Sequence, residues 1–177
     1  MWTILSAESG IKDADITIIG GGPGGYVAAI RASQLGAKVA LVENDKLGGV
    51  CTNYGCIPTK ALLRTTEFLE FLKTSQKHGI TIEGYHADFA SAMNRANAIA
   101  STLSGHVGFL MKKYKVDVIY GFAMMENKET VAIRAKKGGS IKTRSKKTII
   151  ASGSSPIRIP IEGVNGKNII TSDDAFK

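Results

Sequence analysis

The chain has 177 residues, of which 44% are hydrophobic and 21% are charged, and it carries a formal net charge of +8. This balance is typical of a globular protein and excludes a disordered one, and no apolar run reaches the roughly 20 residues of a membrane-spanning helix. Much of the positive excess flanks the Gly138-Gly139 turn without interleaved aromatic residues, which argues against nucleic-acid binding. The first residues lack the pattern of a secretory signal, so we expect a cytoplasmic protein.

The first elements of the chain are predicted to be a strand, a glycine-rich turn, a helix and a second strand. Asp15–Ile19 is a β-branched apolar run typical of a buried strand, and it leads directly into Gly20–Gly25, which matches G-x-G-x-x-G. A helix is expected over Tyr26–Leu35, closed by Gly36. Lys38–Val42 then predicts a second buried strand.

This arrangement predicts a site for a nucleotide cofactor. Gly20 permits the tight turn, Gly22 lets the backbone approach a pyrophosphate, and Gly25 lets helix and strand pack closely. The helix N-terminus offers N–H groups and partial positive charge to the phosphates. Glu43 follows Gly20 by 23 positions, close to the expected spacing of about 20, and can accept hydrogen bonds from both ribose hydroxyls.

The only two cysteines of the chain, Cys51 and Cys56, are separated by four residues and run into a helical pattern. Pro58 suits the first residue of that helix, which would put Cys56 at a helix N-terminus, where the dipole stabilises a thiolate. Lys60 adds a positive charge one turn further on. The pattern favours a dithiol tuned for exchange, with a structural disulfide or two free buried thiols as alternatives. The spacing is not that of a thioredoxin motif, and no metal site is expected because the three histidines lie far away in sequence.

Two helices and a second group of strands are predicted in the rest of the chain. The apolar spacing predicts one helix from Thr59 to about Lys77 and another to about Tyr114, with Asp88 as its N-cap. Alternation and turn residues then predict strands at Val116–Tyr120, Thr130–Arg134 and Ser140–Arg144, followed by an apolar strand that begins at Thr148 and stops at Gly153.

The segment Gly48–Lys60, with its continuation Ala61-Leu62-Leu63, resembles the redox motif of the flavin-dependent disulfide oxidoreductases, most closely the dihydrolipoamide dehydrogenases. The resemblance extends from Asp15 to about Phe176. It implies an α/β fold, namely an incomplete Rossmann-like FAD-binding domain with a parallel sheet, helices and a small antiparallel β-meander. Residues 1–177 would be the first segment of that domain, and residues from about 148 would lead toward a missing NAD-binding domain.

The resemblance also implies roles for individual residues. Cys51 would be the interchange thiol, Cys56 the thiol facing the flavin, and Lys60 a positive charge near the flavin. These three are the expected catalytic residues, and Cys51 and Lys60 would also contact FAD. The other expected FAD-binding residues are Gly20, Gly22, Gly25, Glu43, Gly49, Val50, Ala123, Ser152, Gly153 and Ser154.

The implied reaction is the oxidation of dihydrolipoamide through a Cys51–Cys56 disulfide and FAD, with NAD as the final acceptor. The implied partners are a second copy of the chain and the lipoyl-bearing component of a 2-oxo acid dehydrogenase or glycine cleavage complex. No second G-x-G-x-x-G follows Gly25, so we expect the isolated chain to lack the NAD site, to retain FAD weakly and to be catalytically incompetent. A mercuric- or glutathione-reductase-like enzyme and a non-catalytic nucleotide-binding remnant are the alternatives.

Overall fold

A computed structural model of the protein describes residues 10–176. The chain folds into two compact units. We call residues 10–49 and 104–154 the sheet region, and residues 50–103 and 155–176 the helical region. None of the helices within residues 10–176 combines the length and the apolar character needed to cross a membrane.

The sheet region contains five strands and one complete helix, so the fold is mixed α/β as expected. The strands are β1 (Ile11–Ile19), β2 (Val39–Glu43), β3 (Asp117–Met125), β4 (Thr130–Ala135) and β5 (Ser140–Ile150), and helix α1 (Pro23–Gln34) follows β1. They pair in the closed order β1-β2-β3-β4-β5, in which β5 returns to β1. The pairs β1–β2, β2–β3 and β1–β5 are parallel, whereas β3–β4 and β4–β5 are antiparallel.

The sequence predicted a parallel sheet with a separate meander, but two long strands take part in both kinds of pairing. β3 does not end at Tyr120 and continues through Gly121, where a Cβ atom would approach the carbonyl oxygen of Arg134 to 2.5 Å. The absence of a side chain there lets β4 pair closely with β3. The single strand β5 replaces the two predicted strands, because β1 pairs with it from Ile11↔Lys142 to Ile19↔Ile150.

Two hydrophobic clusters form the core of the sheet region. One packs α1 and the C-terminal end of a long helix against the parallel strands, and its buried members are Ile18, Ala29, Val39, Leu41, Leu47, Val107, Met111 and Val116. The other fills the space beside the antiparallel strands, and its buried members are Ala40, Val42, Ile119, Val131 and Ile133. This core holds the carboxyl ends of β1 and β2 in a fixed register.

The helical region is built on helices, and their boundaries largely follow the predictions. They are α2 (Gly49–Tyr54), α3 (Cys56–Thr74) and α4 (Phe89–Lys113). Gly49 of α2 and the residues of α4 after Leu103 belong to the sheet region. Asp88 is the predicted N-cap of α4, since its carboxylate accepts hydrogen bonds from the N–H groups of Ala90 and Ser91 at 3.1 Å each. α3 begins at Cys56 rather than Thr59, so Pro58 is its third residue. The short α2 was not predicted.

Candidate functional site

A tight glycine turn joins β1 to α1. Gly20 has a φ of 105°, which favours glycine, and its N–H donates to the carbonyl of Val42 at 2.8 Å. A Cβ atom on Gly25 would overlap the carbonyl oxygen of Gly20. The turn therefore requires glycine at both positions, and it fixes the start of α1 against the end of β1.

Two main-chain donors at the start of α1 have no partner in the described structure. Gly22 is the N-cap of the helix and makes no side-chain cap, and the N–H groups of Gly22 and Gly24 donate to no described residue. Neither residue carries a Cβ, and the nearest atom to a Cβ on Gly22 would be the Cα of Gly49, at 3.6 Å. Free N–H groups at the positive end of a helix dipole bind phosphate, so the turn fits the pyrophosphate of a dinucleotide.

The Glu43 carboxylate is held in place by the backbone around it. Its Oε2 accepts a hydrogen bond from the N–H of Gly21 at 2.7 Å, and its Oε1 accepts one from the N–H of Asp45 at 2.6 Å. A carboxylate has about four lone-pair positions, so each oxygen keeps capacity for a further donor such as a ribose hydroxyl. Glu43 thus links the end of β2 to the glycine turn.

Two further segments of the sheet region contact this turn. The N–H of Gly48 donates to the carbonyl of Gly21 at 2.9 Å, and a Cβ on Gly49 would lie 2.8 Å from the Cα of Gly22. A Cβ on Gly20 would overlap the carbonyl of Ala151 and lie 3.2 Å from the Cα of Ser152. The predicted residues that the structure brings together here are Gly20, Gly22, Gly25, Glu43, Gly49 and Ser152.

Sequence reasoning did not identify Gly21, Gly48 or Ala151 as parts of this site. The pair Gly48-Gly49 was a usable signal, since consecutive glycines indicate a close backbone approach. The other predicted residues of the sheet region lie farther along its strands and their extensions. Ala123 pairs with Ile133 on β3, and the exposed Gly153 and Ser154 follow Ser152.

The two cysteines of the helical region are joined in a disulfide, so the alternative of two free thiols is wrong. Cys51 lies in α2 and Cys56 is the first residue of α3, and their Cα atoms are 4.7 Å apart. Gly55 makes this possible, because a Cβ there would lie 3.2 Å from both the Cα of Cys51 and the carbonyl oxygen of Val50. The chain can therefore pass directly from the short helix α2 into the long helix α3.

The disulfide is accessible to a reagent in solution. Cys56 is exposed and Cys51 is half-buried, and the N-cap residue Gly55 makes no side-chain cap. Lys60 is exposed on α3 one turn after Cys56, and Val50 is exposed in α2. A thiol at the first position of a 19-residue helix lies at its positive end, which favours the thiolate. No group of three or more potential metal-ligating side chains occurs within residues 10–176.

Comparison with known proteins identifies a matching family and similar curated proteins. Residues 14–177 match the family model described as pyridine nucleotide-disulphide oxidoreductase. A dihydrolipoyl dehydrogenase from Chlorobaculum parvum is 40% identical over 170 residues, which cover 96% of this chain and 36% of the relative. One from Acholeplasma laidlawii is 44% identical over 154 residues, covering 86% of this chain and 44% of the relative. The chain thus spans less than half the length of these curated relatives.

Proposed function

Because the chain belongs to the pyridine nucleotide-disulphide oxidoreductase family, we propose that it is the FAD- and disulfide-bearing part of a dihydrolipoyl dehydrogenase. The observation that carries this proposal is the accessible Cys51–Cys56 disulfide at the first residue of a long helix. The sheet region would be the Rossmann-like FAD-binding fold. The intact protein would use NAD as acceptor, act on the lipoyl-bearing component of a 2-oxo acid dehydrogenase or glycine cleavage complex, and form a homodimer.

The sheet region supplies the groups that hold the cofactor. The N–H groups of Gly22 and Gly24 would bind the pyrophosphate, and the Glu43 carboxylate would accept hydrogen bonds from the ribose hydroxyls. Because Glu43 already accepts two backbone hydrogen bonds, it needs no rearrangement to do so. FAD held by these groups would supply the two-electron redox chemistry that links the dithiol to NAD.

The disulfide performs the exchange with the substrate. A thiolate of dihydrolipoamide attacks Sγ of Cys51, which forms a mixed disulfide and releases Cys56 as a thiolate. The second thiolate of the substrate then attacks its own sulfur in the mixed disulfide, which yields lipoamide and releases the Cys51 thiolate. The substrate is oxidised by two electrons, the protein disulfide is reduced by two, and the two protons of the substrate thiols leave to solvent. The positive end of the α3 dipole stabilises the negative charge that develops on Cys56 as it leaves.

Trapping the mixed disulfide tests this assignment of the two sulfurs. A Cys56→Ser variant with oxidised lipoamide should form an adduct on Cys51, visible as a mass increase equal to one lipoamide and reversed by a reductant. In the FAD-loaded protein, the matched Cys51→Ser variant should form the adduct much more slowly, because its remaining thiol, Cys56, would face the flavin and be shielded from lipoamide. Equal trapping by both variants would contradict the distinct roles of the two cysteines.

A flavin assay tests the electron transfer. With saturating FAD and dihydrolipoamide, the wild-type protein should lose the visible absorbance of oxidised flavin, because this half-reaction needs no NAD site. Both single Cys→Ser variants should lose it only at the uncatalysed rate. If the wild type binds FAD but neither variant differs from it, the disulfide has no part in flavin reduction and the proposal is wrong.

A further inference from the structure

Tyr120 lies beside Glu43 on the neighbouring strand. The parallel register of β2 and β3 pairs Glu43 with Tyr120. Paired residues of adjacent strands are about 4.8 Å apart along the sheet and extend from the same face. The phenol is therefore a direct neighbour of the carboxylate that would bind the ribose.

The Tyr120 ring is partly open to solvent. Along β3, Ile119 and Gly121 are buried, whereas Tyr120 is 45% exposed. Burial of the ring and, to a smaller extent, the charge of Glu43 raise the pKa of Tyr120 above its usual value. The phenol consequently stays neutral at working pH and adds no negative charge beside Glu43 or the phosphates.

The next exposed aromatic residue on the same face of β3 is in a different situation. Phe122 is 48% exposed, but its ring is approached by the guanidinium of Arg134, which lies 5.8 Å from the ring centroid. The side chain of Tyr120 has no ring contact and no hydrogen bond with any described residue. The two rings are similarly exposed, but among the described residues only Phe122 has a cation over its face.

We propose that Tyr120 is an adenosine-binding residue, whose ring provides an aromatic surface for the adenine of the nucleotide held by Glu43. The inference rests on the proposed function and extends its binding site to a residue of β3. A neutral aromatic ring suits this role because base–aromatic stacking contributes about 1–3 kcal/mol per base. The ribose hydroxyls would meet the carboxylate on β2 while the base meets the phenol on β3.

The test measures binding of FAD, and of ADP as the adenosine-bearing probe without flavin, to the full chain and three variants. Tyr120→Ala should weaken both ligands by about fivefold or more. Tyr120→Phe keeps the ring and should stay within about twofold of the wild type. Phe122→Ala is the matched control on the same strand face and should also stay within about twofold. If Tyr120→Ala does not fold, Tyr120→Leu keeps apolar bulk without a ring and should give the same loss.

Each other outcome overturns the inference. Unchanged binding in Tyr120→Ala would show that the ring contributes nothing, and an equal loss in Phe122→Ala would show a general effect of the strand. An equal loss in Tyr120→Phe would assign the effect to the hydroxyl and not to the ring. These failures leave the proposed function intact, since the wild type still binds. Failure of the wild type to bind either FAD or ADP would instead refute the proposed function, and this inference with it.

Discussion

The two regions of the molecule build their candidate chemistry in opposite ways. In the sheet region the site is built mainly from main-chain N–H groups and from glycines that carry no Cβ atom. Two clusters of large buried side chains support it. In the helical region the chemistry resides in two side-chain sulfurs, and the buried apolar residues among those described are small, namely Pro58, Ala61, Ala96 and Ala100. A backbone site needs a rigid core behind it, whereas a redox disulfide carries its own covalent link and needs access to solvent.

The core of the sheet region should produce the largest loss when it is truncated. Leu41 is completely buried in the cluster beside α1, so Leu41→Ala should lower the free energy of unfolding by about 2–5 kcal/mol. Leu35→Ala is the matched control, because that side chain is 70% exposed, and its cost should be below about 1 kcal/mol. Denaturant unfolding of both variants measures the difference. Similar losses of unfolding free energy in the two variants would mean that the stability of the sheet region does not depend on its buried core.

A substitution at the glycine turn should follow in size and should also abolish cofactor binding. Gly25→Ala places a methyl group onto the carbonyl of Gly20, so we expect a loss of about 3 kcal/mol together with loss of FAD binding. At the adjacent Gly24 a Cβ would make only an ordinary contact, 3.6 Å from the Cβ of Ala151. Gly24→Ala should therefore keep the stability of the wild type, as measured by thermal unfolding. Binding of FAD by Gly25→Ala would contradict the conclusion that the backbone of the glycine turn forms the cofactor site.

Removal of the disulfide should have a smaller effect that is confined to the helical region. The bond closes a loop with a sequence separation of 5, so Cys51→Ala/Cys56→Ala should lose only about 2 kcal/mol of chain-entropy stabilisation. Hydrogen exchange should accelerate at the start of α3 and remain unchanged in β1 and β5. The single variant Cys51→Ala, which also breaks the bond, should give the same pattern. Faster exchange in the strands would show that the two regions do not respond separately.

The smallest expected effect is a pH dependence at the start of α4. Hydrogen bonds from the Ser91 hydroxyl, and then from the N–H groups of Ser91 and Ala90, lower the pKa of Asp88 below its usual value. The cap therefore contributes fully above the ordinary pKa of an aspartate, and its contribution is lost as the pH falls through the lower folded value. Hydrogen exchange in the first turn of α4 should accelerate over that acidic range. Asp88→Asn keeps a cap without a charge and should remove the dependence.

Local features of the sequence predicted most of the fold. The apolar runs of β1 and β2, the G-x-G-x-x-G turn and the Asp88 cap each depend on residues close together in the chain, so they were found. What was missed depends on distant partners. The polar start of β1 did not look like a strand, but Lys12 bonds Asp117 at 2.8 Å and Asp13 bonds Arg144 at 2.9 Å.

The same reasoning separates the predictable and unpredictable parts of the site. The glycines of the turn, Glu43 and the cysteine pair were predicted because the spacing of these residues in the sequence is itself the signal. The short α2 has only 6 residues, too few to show a helical period. The hydrogen bond from the Gly21 N–H to Glu43 and the pairing of Tyr120 with Glu43 depend on how the strands align. That register cannot be read from the sequence. FAD binding by the predicted residues stays a prediction until it is measured.

The pairing of β1 with β5 has a consequence for synthesis of the protein. Ile19, beside the glycine turn, pairs with Ile150, so the strand that leads into the turn lacks its second neighbour until Ile150 has been synthesised. At roughly 5–20 residues per second on the ribosome, the nascent N-terminal segment exposes one side of an apolar strand for many seconds. Such long-range closure is slow compared with helix formation. We therefore expect the glycine turn to become competent to bind a cofactor only after β5 has been synthesised and has paired with β1.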